Sequence, residues 1–349
     1  MSRRPTLAHR LEYAGFRTAL AAMRVLPTAA AESVAARIAR LGYRPLRIRA
    51  DQVDRNLERA FPDRPPEWRA RIARASYEHL GRELVAMMRL ADLSHEEIIA
   101  RTEIVDYEQV VARYTGSGRG AVVIGGHLGN WEVGAALMAV RGYPTAMVAK
   151  RQANPLFDRH LVEARRRLGI EVIERGQAPK LALRALRQKH IVVFGADQNA
   201  GRAGVFVPFF GHLASTHRGP ALMAVRTGAV VFVAAPLRIE GERWRLRMEE
   251  VEYDRDGDPD VVVPQLTAAF TARLEAAIRT APDQYLWHHR RWRSRPPEER
   301  QTLPSPGLQI QPPPAQQTLP PSGRQPLPPA AEHLPPQPDA AREQEPGSG

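Results

Sequence analysis

The chain has 349 residues, a formal net charge of +12 and no cysteine, which excludes a disulfide framework, a thiolate metal site and a cysteine nucleophile. Of its 31 prolines, 16 fall within residues 296–349, where three arginines meet six acids. This tail therefore carries −3 and residues 1–295 carry +15, leaving one large or two small strongly basic domains.

The tail has stretches such as QPPPAQQTLPPSG, without the apolar periodicity needed to offset chain entropy. It is predicted to be disordered and proline-rich over residues 296–349, extended and partly polyproline II. Such a segment fits either a dock for a proline-recognising partner or a plain solvated appendage. Truncation after Arg295 is expected to leave melting temperature and activity nearly unchanged. A large fall in either would contradict this reading.

The basic excess is almost all arginine: 47 against three lysines, Lys150, Lys180 and Lys189. The planar guanidinium is the better phosphate clamp, so nucleic acid and anionic membrane are the two partners to weigh. No helix-turn-helix, zinc finger or aromatic-studded strand pair accompanies the charge, and nucleic acid is set aside.

The first predicted element is a helix on which Tyr13, Phe16, Leu20 and Met23 share one face. Arg10, Arg17 and Arg24 form a basic stripe along it, and Arg37, Arg40, Arg44, Arg47 and Arg49 follow. Its charge-free runs are too short for the roughly 20 apolar residues of a membrane span. Residues 1–45 therefore read either as a basic amphipathic membrane-associating segment or as ordinary surface helix. Leu46, Ala50, Val53 and Leu57 then share a face, and Phe61-Pro62-Asp63-Arg64-Pro65-Pro66 breaks the chain. Tyr77, Leu80, Leu84 and Met87 mark a long helix to about Leu90, with the Met87-Met88 pair read as core filler.

From about residue 119 short apolar runs alternate with helical patterns. Strands are predicted at 121–126, 145–149, 171–173, 191–196 and 229–237, and an edge strand at 244–253. Helices are predicted at 131–140, 156–168, 179–189 and 262–279. The VFVPFF run reads as a buried hairpin or an acyl-facing groove. The whole argues an α/β fold over residues 46–295, with a mixed, largely parallel central sheet flanked by helices.

The chain carries no phosphate loop, no nucleophile elbow and no zinc helix, so neither metal nor cofactor is called for. The chemistry points to the loop after the first of these strands, Gly125-Gly126-His127-Leu128-Gly129-Asn130-Trp131-Glu132. Asn130 suits a helix N-cap and Glu132 the first turn. Residues five apart on one helix diverge by about 140°. His127 and Glu132 can therefore meet only with His127 in the loop, as base and orienting carboxylate. By itself the pair equally fits a satisfied loop histidine beside a dipole-compensating acid.

The segment GGHLGNWE resembles the His-x4-acid block of the bacterial lipid A secondary acyltransferases, within the glycerolipid acyltransferase superfamily. Asn56-Leu57 with Ala60-Phe61-Pro62 resembles the NL…AFP segment of that family. Asp197-Gln198 with GVFVPFFG (204–211) resembles its DQ…GVFVPFFG block, continued by Thr216, Gly219-Pro220-Ala221 and Arg226-Thr227-Gly228-Ala229. Tyr285, Trp287, His289 and Arg290-Arg291-Trp292 resemble its closing segment. The N-terminal segment is less apolar than the span often present in the family, and the proline-rich tail lies outside its pattern.

The resemblance implies transfer of a fatty acyl chain from a thioester, on acyl carrier protein or CoA, to a hydroxyl of a lipid A precursor. Because basic stripes flank apolar faces in residues 1–45, the protein is expected at the cytoplasmic face of the inner membrane, peripheral or weakly anchored. His127 would be the general base and Glu132 its orienting partner, with no acyl-enzyme, since no serine or cysteine stands beside His127. Backbone amides at Gly129 and Asn130 are expected to receive the oxyanion. Arg151 fits either an acceptor phosphate or a solvated charge. Asp197 and Gln198 fit acceptor hydroxyls, support of His127, or a turn, and His288 and His289 read as structural. Two alternatives stand beside a lipid A precursor as substrate: another lysophospholipid or glycolipid acceptor, and a non-catalytic membrane-surface adaptor.

Overall fold

The computed structural model describes residues 4–296. The proline-rich tail, from Pro297 on, lies outside the described residues. Five helices open the chain: α1 (Leu7–Val25), α2 (Thr28–Tyr43), α3 (Ala50–Ala60), α4 (Pro66–Leu90) and α5 (His95–Ala100). Then come β1 (Thr102–Ile104), α6 (Tyr107–Gly116), β2 (Ala121–Gly125), α7 (Trp131–Ala139), β3 (Thr145–Ala149), α8 (Pro155–Arg167) and β4 (Ile170–Glu174). After α9 (Ala178–Arg187) and β5 (Ile191–Gly195), a two-stranded hairpin, β6 (Val205–Phe209) and β7 (His212–Thr216), stands outside the main sheet. The chain continues with α10 (Gly219–Thr227), β8 (Val230–Glu240), β9 (Arg243–Glu250) and α11 (Pro259–Thr280).

Seven strands form the main sheet in the order β1-β9-β8-β2-β5-β3-β4. Every pairing in it is parallel except the β8–β9 hairpin. The mixed, largely parallel sheet expected from the sequence is therefore present. Strand residues alternate between two packed layers. Val122 and Ile124 pack with α9, α10 and α11, while Ala121 and Val123 pack with α7 and with Leu90, Ile98 and Tyr114. Coverage of both faces explains the unbroken apolar runs read as strands.

Three local expectations change. The strand predicted at 244–253 is β9, but it is not the edge, because the three-residue β1 pairs outside it. Three residues are too short to show a periodicity. Leu46 lies before α3 and is exposed, so of those four residues Ala50, Val53 and Leu57 share the buried face, joined by Asn56 and Ala60. The VFVPFF run is a hairpin with Val207, Phe209 and Phe210 buried, which is the packing alternative.

Among the described residues α11 alone is long and apolar enough to cross a membrane, and its Val263, Leu266, Phe270, Leu274 and Ile278 side is buried in the core. At the N-terminus Thr6 caps α1 in a reciprocal pair with His9. The α2 helix lies along α4, burying Ala31, Ala36 and Tyr43. The closing segment is anchored from a distance: the buried Asn56 side chain donates to the carbonyls of Trp287 (2.6 Å) and His289 (2.8 Å).

Candidate active site

The β2 and β5 strands are parallel neighbours in register, Gly125 opposite Gly195. The loops that leave their carboxyl ends therefore start side by side, where ligands sit in open α/β sheets. His127 is two residues past β2 and Asp197 two residues past β5. The Asp197 carboxylate takes the His127 backbone N–H at 2.8 Å and its Nδ1 at 2.9 Å. With Nδ1 hydrogen-bonded to a carboxylate, Nδ1 carries the proton and Nε2 is the free base. Asp197 is nearly fully buried, while the His127 side chain keeps 28% exposure.

Electrostatics follow from this pairing. Burial alone pulls the His127 pKa down, but the charge and hydrogen bond of Asp197, with a smaller push from Glu132, leave it raised above the ordinary value. Burial alone would raise Asp197. The facing imidazolium, both hydrogen bonds from His127 and the nearby Arg291 outweigh it and hold the carboxyl at about 2. Asp197 is then ionised at every pH where the imidazole titrates. Arg291 is itself fixed by the Ser215 carbonyl at 2.6 Å and by the Thr216 hydroxyl at 2.5 Å.

Glu132 does not orient His127. Both its oxygens are held by Arg165 of α8, at 2.6 and 3.0 Å. It stands on the same cavity as His127 and acts on it through charge. Asp197, which the sequence left open between substrate contact, support of His127 and a turn, is the orienting carboxylate. Arg165 was missed, because no spacing links position 132 to position 165.

The expected oxyanion donors also change. Gly129 N–H donates to the Gln284 carbonyl and Asn130 N–H to the Pro236 carbonyl, both at 2.9 Å. Neither amide is available to a substrate. Gly129 sits at φ +57°, and a Cβ there would overlap the Pro236 carbonyl oxygen, so the residue admits this close strand crossing. Asn130 is the N-cap foreseen, its Oδ1 accepting from Val133 N–H at 3.0 Å. No acceptor among the described residues takes the first-turn amides of Trp131 and Glu132.

His127 opens onto a cavity of about 840 Å³ between the sheet edge and α1, α4, α7 and α8. Its walls include Phe16, Leu84, Met87, Met88, Met147, Phe157 and Leu161. Met87 and Met88 are thus cavity wall and not core filler. Gln198 lines the cavity with its amide 3.4 Å from His127 Nε2. Lys150, Arg175 and His217 stand on the same lining, and burial together with Arg175 and Arg291 holds the His217 pKa down. Arg151 is not among the lining residues: it is exposed, 3.1 Å from Glu174 and 3.9 Å from Asp158. His289 is structural as expected, accepting the Asn199 N–H at 2.8 Å, and the His288 ring lies 4.3 Å from Tyr77.

A carboxylate-held histidine opening on a largely apolar cavity, with no serine, threonine or cysteine among the described lining residues, suits an enzyme that transfers an apolar chain. Residues 6–294 match the bacterial lipid A biosynthesis acyltransferase family, and the chain belongs to that family and is an acyltransferase. It is 30% identical over 273 residues to the phosphatidylinositol mannoside acyltransferase of Mycolicibacterium smegmatis, covering 76% of this chain and 86% of the relative. It is 28% identical over 263 residues to the lipid A biosynthesis lauroyltransferase of Escherichia coli, covering 74% and 84%. The E. coli palmitoleoyltransferase is 27% identical over 259 residues, covering 72% and 82%. The family supports acyl transfer from an acyl donor to a glycolipid acceptor.

Proposed function

We propose that this enzyme moves a fatty acyl chain from a thioester, on acyl carrier protein or CoA, to a hydroxyl of a lipid A precursor, with His127 as general base. The observation that carries the reading is the His127 Nε2, freed by the Asp197 bond to Nδ1 and facing an apolar cavity. In this scheme Nε2 takes the proton of the acceptor hydroxyl as its oxygen attacks the thioester carbonyl. Asp197 stabilises the imidazolium as it forms. The amides of Trp131 and Glu132 receive the oxyanion. Collapse breaks the C–S bond, and the departing thiolate takes the proton back from His127. Lys150 and Arg175 favour an anionic acceptor headgroup.

Incubating the purified protein with acyl thioesters and glycolipid acceptors, followed by mass spectrometry, tests this. An acyl-acceptor product is expected, and none with any pairing would count against it. A second acceptor class, phosphatidylinositol mannosides, is favoured by the name of the M. smegmatis relative, and the same assay separates it.

The same reading puts the enzyme on the cytoplasmic face of the inner membrane, held by its N-terminal helices. Leu7 and Leu11 on α1 and Val34, Ile38 and Leu41 on α2 are all exposed, Leu7 by 73%. The arginines at 37, 40 and 44 neighbour them, the combination that suits an anionic lipid surface. Phe16 and Leu84 line the cavity from these same helices and α4, so lipid would meet its mouth. Salt at 1 M, where the Debye length is about 3 Å, is expected to release part of the protein from anionic vesicles. Full retention through salt and alkaline carbonate would contradict peripheral attachment.

A further inference from the structure

Behind the His127 loop lies a charged cluster that faces away from the cavity. Glu83 of α4 is fully buried. Its carboxylate accepts from Asn130 Nδ2 at 2.7 Å, from the Trp244 indole N–H at 3.1 Å and from Arg238 Nε. Arg238 also grips Glu32 through two nitrogens, at 2.9 and 3.0 Å. Desolvating such groups is costly, and packed apolar residues often serve stability as well. What a carboxylate supplies that an apolar residue cannot is direction. It only accepts hydrogen bonds, so it compels Asn130 to turn its NH2 inward. The Oδ1 of Asn130 is thereby aimed at the Val133 N–H. That cap seats the first turn of α7, where the amides of Trp131 and Glu132 lie.

We propose that Glu83 is a positioning residue for acyl transfer, holding Asn130 in the one amide orientation that seats the first turn of α7 against the reacting carbonyl. The inference rests on the acyl-transfer reading above. It separates two jobs within one loop. The His127–Asp197 pair sets the base, while Glu83 acts through Asn130 on the oxyanion side.

The full-length protein is assayed with the thioester and acceptor that support wild-type turnover. Glu83→Gln places an NH2 among three donors, and a misplacement of about 1 Å can cost up to about 10²-fold. A kcat at least about ten-fold lower is expected, with KM within about two-fold, the signature of an interaction made in the transition state. The acid limb of the pH profile should not move, because His127 and Asp197 are untouched. The double variant Glu83→Gln/Asn130→Asp reverses the pair: the new amide at 83 donates to the new carboxylate at 130, whose other oxygen caps Val133 equally well. It should regain most of the lost kcat while its melting temperature stays low, since the Trp244 N–H still lacks its acceptor and Arg238 faces a neutral amide in place of a carboxylate. Activity that merely follows melting temperature across the two variants would overturn the proposal, as would wild-type kcat in a folded Glu83→Gln protein. Should Glu83→Gln fail to fold, Asn130→Ser decides. It keeps a cap but cannot reach Glu83, so lowered kcat supports the inference and full kcat refutes it. Absence of wild-type turnover would overturn the acyl-transfer reading and this inference with it.

Discussion

His127→Ala is expected to lower acyl transfer by at least two orders of magnitude, since general-base contributions run about 10² to 10⁴-fold. The side chain is partly exposed, and its contacts are Asp197, the Trp131 ring at 5.0 Å and Gln198. The Leu286 N–H bond to the His127 carbonyl, which holds the loop, survives the substitution. Asp197 keeps the backbone N–H of residue 127 and the nearby Arg291, so melting temperature should fall less than when Glu132 is removed from Arg165, and vesicle binding should change little. A membrane-surface adaptor, by contrast, would show no change in any lipid product. Near-normal turnover by a folded His127→Ala protein would remove His127 from the mechanism.

The second large effect separates the two carboxylates. Asp197→Asn keeps the shape but removes the charge and permits the wrong imidazole tautomer, a change that costs about 10⁴-fold in a serine-protease triad. Its pH profile should move in a telling direction. Only neutral His127 accepts a proton, and its raised pKa places the wild-type acid limb above the ordinary histidine value. Without the Asp197 charge, burial dominates and the limb shifts to lower pH. The variant is thus slower although more of its base is neutral, and a limb left in place would count against the pairing. Because the two residues act as a unit, His127→Ala/Asp197→Asn should be little worse than His127→Ala.

Glu132→Ala should behave differently. The Glu132 and Arg165 side chains keep only 13% and 12% exposure, so removing one strands the other. A loss of about 3 kcal/mol is expected, the lower end for breaking a buried pair, alongside reduced transfer. Thermal unfolding of the three single variants ranks them: Glu132→Ala should melt lowest.

Chain-local patterns determined much of this protein. The apolar runs at 121–126, 145–149 and 191–196 marked buried parallel strands, because a sheet covered on both faces needs every residue apolar. Glycines, a histidine and a capping asparagine between strand and helix marked the loop of β2 as the place for chemistry, and ordered blocks in the chain carried the family. Tertiary structure decided which charges meet. Asp197 reaches His127 because β2 and β5 lie side by side in register, and that adjacency joins residues 70 positions apart. Glu132 stands five residues from His127 yet turns to Arg165, and Glu83 finds Asn130 only because α4 packs behind the loop. Periodicity reports which face of an element is buried. Which side chain completes a buried charge depends on how separate elements pack, and no spacing along the chain records that.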